Sequence, residues 1–270
     1  MGTKKILFES LAIAEKELKI ELRFKIPFFL DSIVWPVFVV VPFLLVYFGQ
    51  FLSGAQNFGG ITLENFVPFL LLGTISSIAL HTGFTNTPIR FQREKYWQTI
   101  ESIQIAPINK LSVIIGHTIF SIITVLPAAA IIMLLLQYFS HTSILNIFFI
   151  LLILIPMLLI SISLGIIAGI SMLFDESYLP FFRSLVFFIT FFSCFYYPIA
   201  IFDQHALLAL LKPFVLVNPF YHGVTILRSL WFSGTTPLSS IAILLMFAII
   251  MPFLSSYLFN RAWKKFTIQG

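Results

Sequence analysis

Six stretches of this chain, at about residues 28–49, 65–87, 111–138, 146–173, 180–201 and 237–259, hold two charged side chains between them. Those two, Asp31 and Arg183, each lie near the end of a stretch. A helix needs roughly 20 apolar residues to cross the hydrocarbon core of a bilayer. Inside that core its backbone polar groups must be satisfied within the segment itself. The chain therefore reads as an all-α integral membrane protein with six transmembrane helices. Composition points the same way, with 59% hydrophobic and 10% charged residues, against about 25% charged in a soluble domain. The fifth stretch is the weakest, with Arg183 near its start and Pro198 near its end. A further apolar run, Ala206–Val217, is too short to span and suits a re-entrant or interfacial helix.

Orientation follows from the basic residues, which cytoplasmic loops retain. With the N-terminus inside, the inner segments hold fourteen of the sixteen lysines and arginines, and only Lys212 and Arg228 fall outside. This predicts a multi-pass protein of the cell membrane with both termini cytoplasmic. One membrane domain covers 1–270: an interfacial helix over 1–27, a six-helix bundle over 28–259 and a cytoplasmic tail over 260–270. The N-terminus does not read as a secretory signal, because charges are mixed through residues 4–25 and no cleavage site follows. A single cysteine, Cys194, rules out an internal disulfide framework.

Residues 5–26 fit an amphipathic helix, with Leu7, Leu11, Ala14, Leu18 and Leu22 on one face. Glu15–Lys19 and Glu21–Lys25 are i,i+4 pairs in the favourable order. Leu18–Ile26 also alternates apolar and charged residues, but a lone strand there would leave backbone groups unpaired. Pro27 is expected to break this helix from the first span. Between spans two and three, Arg93–Ile103 fits a short surface helix with Glu94, Gln98 and Glu101 on one face, ended by Pro107. Such a helix either presents carboxylates to a soluble partner or is a solvated loop helix without one.

The spans carry little chemistry. No H-E-x-x-H or G-x-S-x-G motif occurs, the five histidines are scattered, and no metal site is indicated. No span has a central acidic or basic residue, which argues against a proton-coupled carrier. No G-x-x-x-x-G-K-[ST] loop occurs, so the chain has no nucleotide-binding motif of that kind and needs no cofactor of its own. Ser161, Gly165 and Gly169, at spacing four, form a small-residue seam suited to close packing within the bundle. Phenylalanine is abundant at 33 residues. Trp35 and Phe38 of the first span, with Phe188, Phe192 and Phe195 of the fifth, are candidate pathway residues, since aromatic faces stack on sugar rings and flat amphiphiles. In a lipid-facing helix they are simply bulky apolar residues.

Two segments carry a resemblance. Arg93-Glu94, then Thr99-Ile100-Glu101-Ser102-Ile103-Gln104-Ile105-Ala106-Pro107-Ile108, resembles the signature loop of the type-2 ABC exporter permeases. Tyr197-Pro198, followed some twenty residues later by Val217-Asn218-Pro219-Phe220-Tyr221, is similar to that family's proline after the fifth span and its Asn-Pro-aromatic element. Lys95-Tyr96-Trp97-Gln98 replaces the Gly-rich link common in the family. The resemblance implies an ATP-driven exporter in which this subunit, with a second permease copy as a homodimer, binds two ABC ATPase subunits that hold ATP and Mg. It implies a coupling helix using Arg93, Glu94, Trp97, Thr99, Ile100, Glu101 and Pro107. It further implies an outer gate at Tyr197, Pro198, Asn218, Pro219 and Tyr221, with re-entrant outer helices between spans five and six. The pathway would lie between the two copies, for an amphiphilic, carbohydrate or lipid-linked substrate or a hydrophobic drug. Membrane lipid is the remaining partner, and nucleic acid is not one. Two other readings stand beside it, an ATP-independent secondary carrier and a non-transporting membrane scaffold.

Overall fold

A computed structural model describes residues 3–30, 34–54, 56–98, 108–140 and 144–269. Every regular element among them is helical, and one isolated β-bridge pairs Phe58 with Ile61. The chain opens with α1 (Thr3–Arg23) and a single turn, α2 (Lys25–Phe29). The break lies at Phe24, where φ is −107° and ψ 70°, and not at Pro27. Pro27 falls in the first turn of α2, where a helix has no intrahelical use for the missing N–H. The first-span helix α3 (Trp35–Leu52) follows, and then α4 (Phe66–Phe84) and α5 (Asn86–Tyr96) run almost continuously. After these come α6 (Lys110–Ser140) and α7 (Ile144–Phe174). The short α8 (Leu179–Phe192), α9 (Ala206–Ala209), α10 (Lys212–Val217), α11 (Pro219–Phe232) and the long α12 (Leu238–Gln269) complete the order.

Four described helical segments are long and apolar enough to cross a membrane: Phe66–Tyr96, Leu111–Phe139, Asn146–Phe174 and Leu238–Ala262. A fifth is reached if Ala206–Val217 and Pro219–Phe232, bent by 85° at Asn218, count as one span. The protein is thus an all-α membrane-spanning chain. The expected fifth span over 180–201 is interrupted. Its helix stops at Phe192, Cys194 takes a left-handed φ of 53°, and the chain turns through Ser193–Tyr197. The run expected to be re-entrant forms two short helices, α9 and α10, before the 85° bend into α11.

The central element is α4, whose apolar window is 83% buried, whereas that of α12 is 22% buried. Small residues explain the difference. A Cβ on Gly83 would stand 2.0 Å from the Ser161 hydroxyl, and one on Gly165 would stand 2.2 Å from the Gly83 carbonyl oxygen. Ser161 also donates to the Ala79 carbonyl at 2.8 Å. One turn further, a Cβ on Gly169 would stand 2.7 Å from the Phe91 ring. The Ser161–Gly165–Gly169 seam therefore packs α7 on α4 and α5 at backbone contact, with dispersion as the attraction in an apolar solvent. Pro42, Pro127, Pro156 and Pro252 lie inside long helices. Each forgoes one ladder hydrogen bond, which membrane helices tolerate where neighbours compensate.

Helix α1 crosses α6 at Gly116, where an added Cβ would stand 2.8 Å from both the Ser10 carbonyl and Ile13. Its contact face is therefore Ser10, Ile13, Ala14 and Glu17, with Ser10, Ala14 and Glu17 buried. Among the leucines grouped as its apolar stripe, Leu7, Leu11 and Leu22 are exposed. Leu7, Leu11 and Leu22 thus face outward, whereas Ala14 of the same stripe is buried on the protein-facing side.

Candidate functional site

At the end of the bundle where α1 lies, ionic pairs join α1 to the last turn of α5. Arg93 donates from Nη2 to Glu17 Oε2 at 2.7 Å and lies 3.7 Å from Glu21, while Lys16 pairs with Glu94 and stands 3.6 Å from Glu17. The Glu17 and Glu94 side chains are 2% and 8% exposed. Lys95 donates to Glu176 at 3.0 Å and Tyr96 to the same carboxylate at 3.3 Å, tying α5 to the turn after α7. Glu9 accepts from the Asn109 N–H at 3.0 Å and the Ser112 hydroxyl at 2.7 Å, so α1 also caps the start of α6. These donors hold the Glu9 carboxyl below its usual pKa, the Ser112 hydroxyl contributing most.

This geometry corrects one expectation. Arg93 and Glu94 do not begin a separate surface helix; they end α5, which stops at Tyr96. Gln98, at φ 57°, turns the chain in a left-handed conformation and so shares no helical face with Glu94. Nor is Glu94 presented outward, because Lys16 of α1 engages it. Trp97 is 49% exposed, with the Arg93 guanidinium 5.5 Å over its ring. Thr99, Ile100, Glu101 and Pro107 lie outside the described residues.

Further into the bundle, a cleft of about 600 Å³ opens between α3, α4 and α8. Polar groups recur along α4 and into α5 at helical spacing: Thr74, Ser77, His81, Thr82, Thr85 and Asn86. Trp35 and Val39 of α3 form one wall, and Thr190 of α8 with Tyr196 forms another. No acidic or basic chain other than His81 lines it among the described residues. The Thr190 hydroxyl is buried there with no hydrogen-bond partner. An uncharged wall of donors and acceptors with an aromatic side suits a polar but non-ionic group better than an ion.

Of the pathway aromatics, only Trp35 reaches this cleft. Phe188 and Phe192 line an apolar groove of about 490 Å³ on the other side of α8, with Phe214 and Phe247. Phe195 is fully buried, and Phe38 is 66% exposed. Periodicity does announce the cleft: hydroxyl, amide and imidazole residues at 74, 77, 81, 82, 85 and 86 sit on one flank of an apolar helix.

The opposite end is a knot of hydrogen bonds to main chain. Asn218 accepts from the Phe220 N–H at 3.0 Å and so caps α11, while its amide donates to the Ile189 carbonyl and the Ser193 hydroxyl, both at 3.0 Å. Pro219 occupies the first position of α11, where its missing N–H costs nothing. Tyr197, which donates to the Phe191 carbonyl, and Tyr221 both pack on a cluster of Phe192, Cys194, Phe202 and Val215. Pro198 abuts Gly59, where an added Cβ would stand 2.6 Å away. The five residues assigned to an outer gate thus lie in one compact region.

Three partners in this region are missed by motif reading. Arg228 donates to the carbonyls of Cys194 at 2.9 Å, Phe195 at 2.6 Å and Phe69 at 3.4 Å, and lies 3.4 Å over the Phe69 ring. It satisfies the carbonyls freed where α8 ends. His222 bridges the Ser240 hydroxyl at 3.1 Å and the Leu216 carbonyl at 2.8 Å. Ser193 is the third. The available signal for Arg228 is its isolation, a lone cation between Ile226-Leu227 and Leu230-Trp231. No protein-family model matches this chain, and no curated protein matches it.

Proposed function

We propose that the chain is the membrane-spanning permease of an ATP-driven exporter, with α1 and the α5 end facing the cytoplasm. The observation that carries this reading is the uncharged polar cleft between α3, α4 and α8, which runs toward the end where α1 is ion-paired to α5. In this reading the protein crosses the cell membrane six times, with α3 as the first crossing and the interrupted α8 as the fifth. A polar or amphiphilic group enters the cleft, and the exposed aromatic faces of α3 and α8 meet a second copy.

The chain has no nucleotide-binding loop of the Walker kind, so hydrolysis belongs to a separate ABC ATPase, present in two copies and loaded with ATP and Mg. The segment after Tyr96, carrying Thr99, Ile100, Glu101 and Pro107, docks that ATPase. Force enters at Trp97 and the α5 end and spreads to α1 through Arg93–Glu17 and Lys16–Glu94. The test is co-reconstitution of the full chain with an ABC ATPase subunit from the same organism. Permease-stimulated ATP hydrolysis is expected, and Glu101→Lys is expected to remove the stimulation while the subunit still inserts. Equal stimulation by the Glu101→Lys variant would defeat the assignment.

A further inference from the structure

Behind α1, a space of about 110 Å³ is enclosed by α5, the start of α6 and α12. Roughly 10–15 Å³ of such space holds one water, so this volume admits a group of several heavy atoms. Two side chains in its wall are buried and under-used. Arg90 is 4% exposed and His117 6% exposed. Arg90 Nε and Nη1 and His117 Nδ1 have no hydrogen-bond partner. The Arg90 guanidinium lies 4.2 Å over the Phe120 ring, which fixes its plane. Among the described residues no carboxylate lies within ion-pair distance of it. Glu17 and Glu94 line the same space, but Arg93 and Lys16 already hold them.

A buried guanidinium with two free N–H groups is costly unless an acceptor meets it. A guanidinium fork matches the oxygens of a tetrahedral oxyanion in pairs, and an imidazole N–H supplies a third donor. We infer that Arg90 and His117 hold a phosphate group in this space. This site is separate from the cleft and does not depend on the proposed function. Two sources share that chemistry, a phospholipid headgroup and free inorganic phosphate. The surroundings favour the lipid. Half of the lining residues are apolar, Ile13, Ile108 and Val113 among them. Lys16, 44% exposed, stands at the rim, on an amphipathic helix whose exposed leucines, Leu7, Leu11 and Leu22, suit a lipid surface.

The experiment uses the purified full chain in detergent. Phosphatidylglycerol is titrated by native mass spectrometry, and radiolabelled inorganic phosphate is titrated by equilibrium dialysis. One saturable phosphatidylglycerol is expected per chain, with at least tenfold weaker binding in Arg90→Gln and severalfold weaker binding in His117→Gln. Val113→Phe keeps both donors and fills the space, so it is expected to weaken binding as well. Should Arg90→Gln fail to fold, the other two variants decide. Saturable inorganic phosphate that responds to the same substitutions would support the site and make free phosphate its ligand. Absence of saturable binding by either probe, or equal binding in all variants, overturns the proposal.

Discussion

Two ends of one bundle hold their helices together by different chemistry. At the α1 end, helices meet through charged side chains: Arg93 with Glu17, Lys16 with Glu94, Lys95 with Glu176. At the opposite end they meet mainly through main-chain carbonyls, which Arg228, Asn218 and His222 engage, and the ion pair there, Lys212 with Asp203, is partly exposed. Arg228 and Arg90, both buried, mark the contrast. Arg228 is spent on the carbonyls of a broken helix, whereas Arg90 keeps two donors unpaired. Carbonyl bonds fix one backbone path, because the acceptor cannot leave without unwinding the chain. Ion pairs between long side chains can exchange partners while the backbones slide. The α1 end is thus held by side-chain ion pairs and the opposite end chiefly by bonds to main chain.

Removing Arg228 should have the largest effect. Arg228→Met leaves three buried carbonyls without their donor, at about 1–3 kcal/mol for each unsatisfied group. A loss of about 4 kcal/mol is expected, read as a large fall in Tm in detergent, with Cys194 becoming reactive to maleimide. A Tm within two degrees of wild type would show that the carbonyl bonds do not hold the knot. Glu17→Ala comes next, since it removes the 2% exposed carboxylate that Arg93 meets at 2.7 Å and leaves Arg93 only Glu21 at 3.7 Å. Breaking one side of a buried pair costs about 3 kcal/mol, and here the loss should be local. Protease should cut α1 faster while Cys194 stays protected; loss of both together would erase the distinction between the ends.

Asn218→Ala sharpens the comparison at smaller scale. It removes a helix cap and two donated bonds, for a loss of about 1–2 kcal/mol that raised salt should not alter. Salt should instead weaken the Lys95–Glu176 tie between α5 and the turn after α7, because that pair is exposed and exposed ion pairs are screened. The smallest effect concerns Glu9. Its pKa is lowered from 4.5 in the folded state, so its stabilising contribution is present above that value and is lost as pH falls through the lower, folded one. Protection of the Asn109 N–H against hydrogen exchange, which Glu9 provides, should therefore hold from neutral pH down to that range and then decline. Protection that weakens on raising the pH would have the wrong sign.

The legible parts of the molecule are those where one physical demand dominates. Long apolar runs announce α6, α7 and α12, because hydrocarbon tolerates little else. The Ser161–Gly165–Gly169 seam is readable because close backbone approach needs small residues at one spacing. The interruption at Cys194 is not, since Phe191 to Tyr197 is apolar enough to continue a span; the break rests on Arg228, Asn218 and Ser193 arriving from elsewhere to serve the freed carbonyls. Glu94 misleads for a related reason. Its charge suggests solvent, yet Lys16, far away in sequence, takes it inside. The cleft is present in the sequence as a polar flank on α4, whereas the conspicuous aromatics Phe38, Phe188, Phe192 and Phe195 do not line it.

The central claim is that the α1 end, with the segment after Tyr96, faces the compartment where an ATPase works. In a Cys194→Ser background, Gln98→Cys and Thr235→Cys place one thiol at each end. Membrane-impermeant maleimide applied to intact cells should label position 235 at once and position 98 only after permeabilisation. Labelling of position 98 in intact cells would invert the topology and end the coupling mechanism with it.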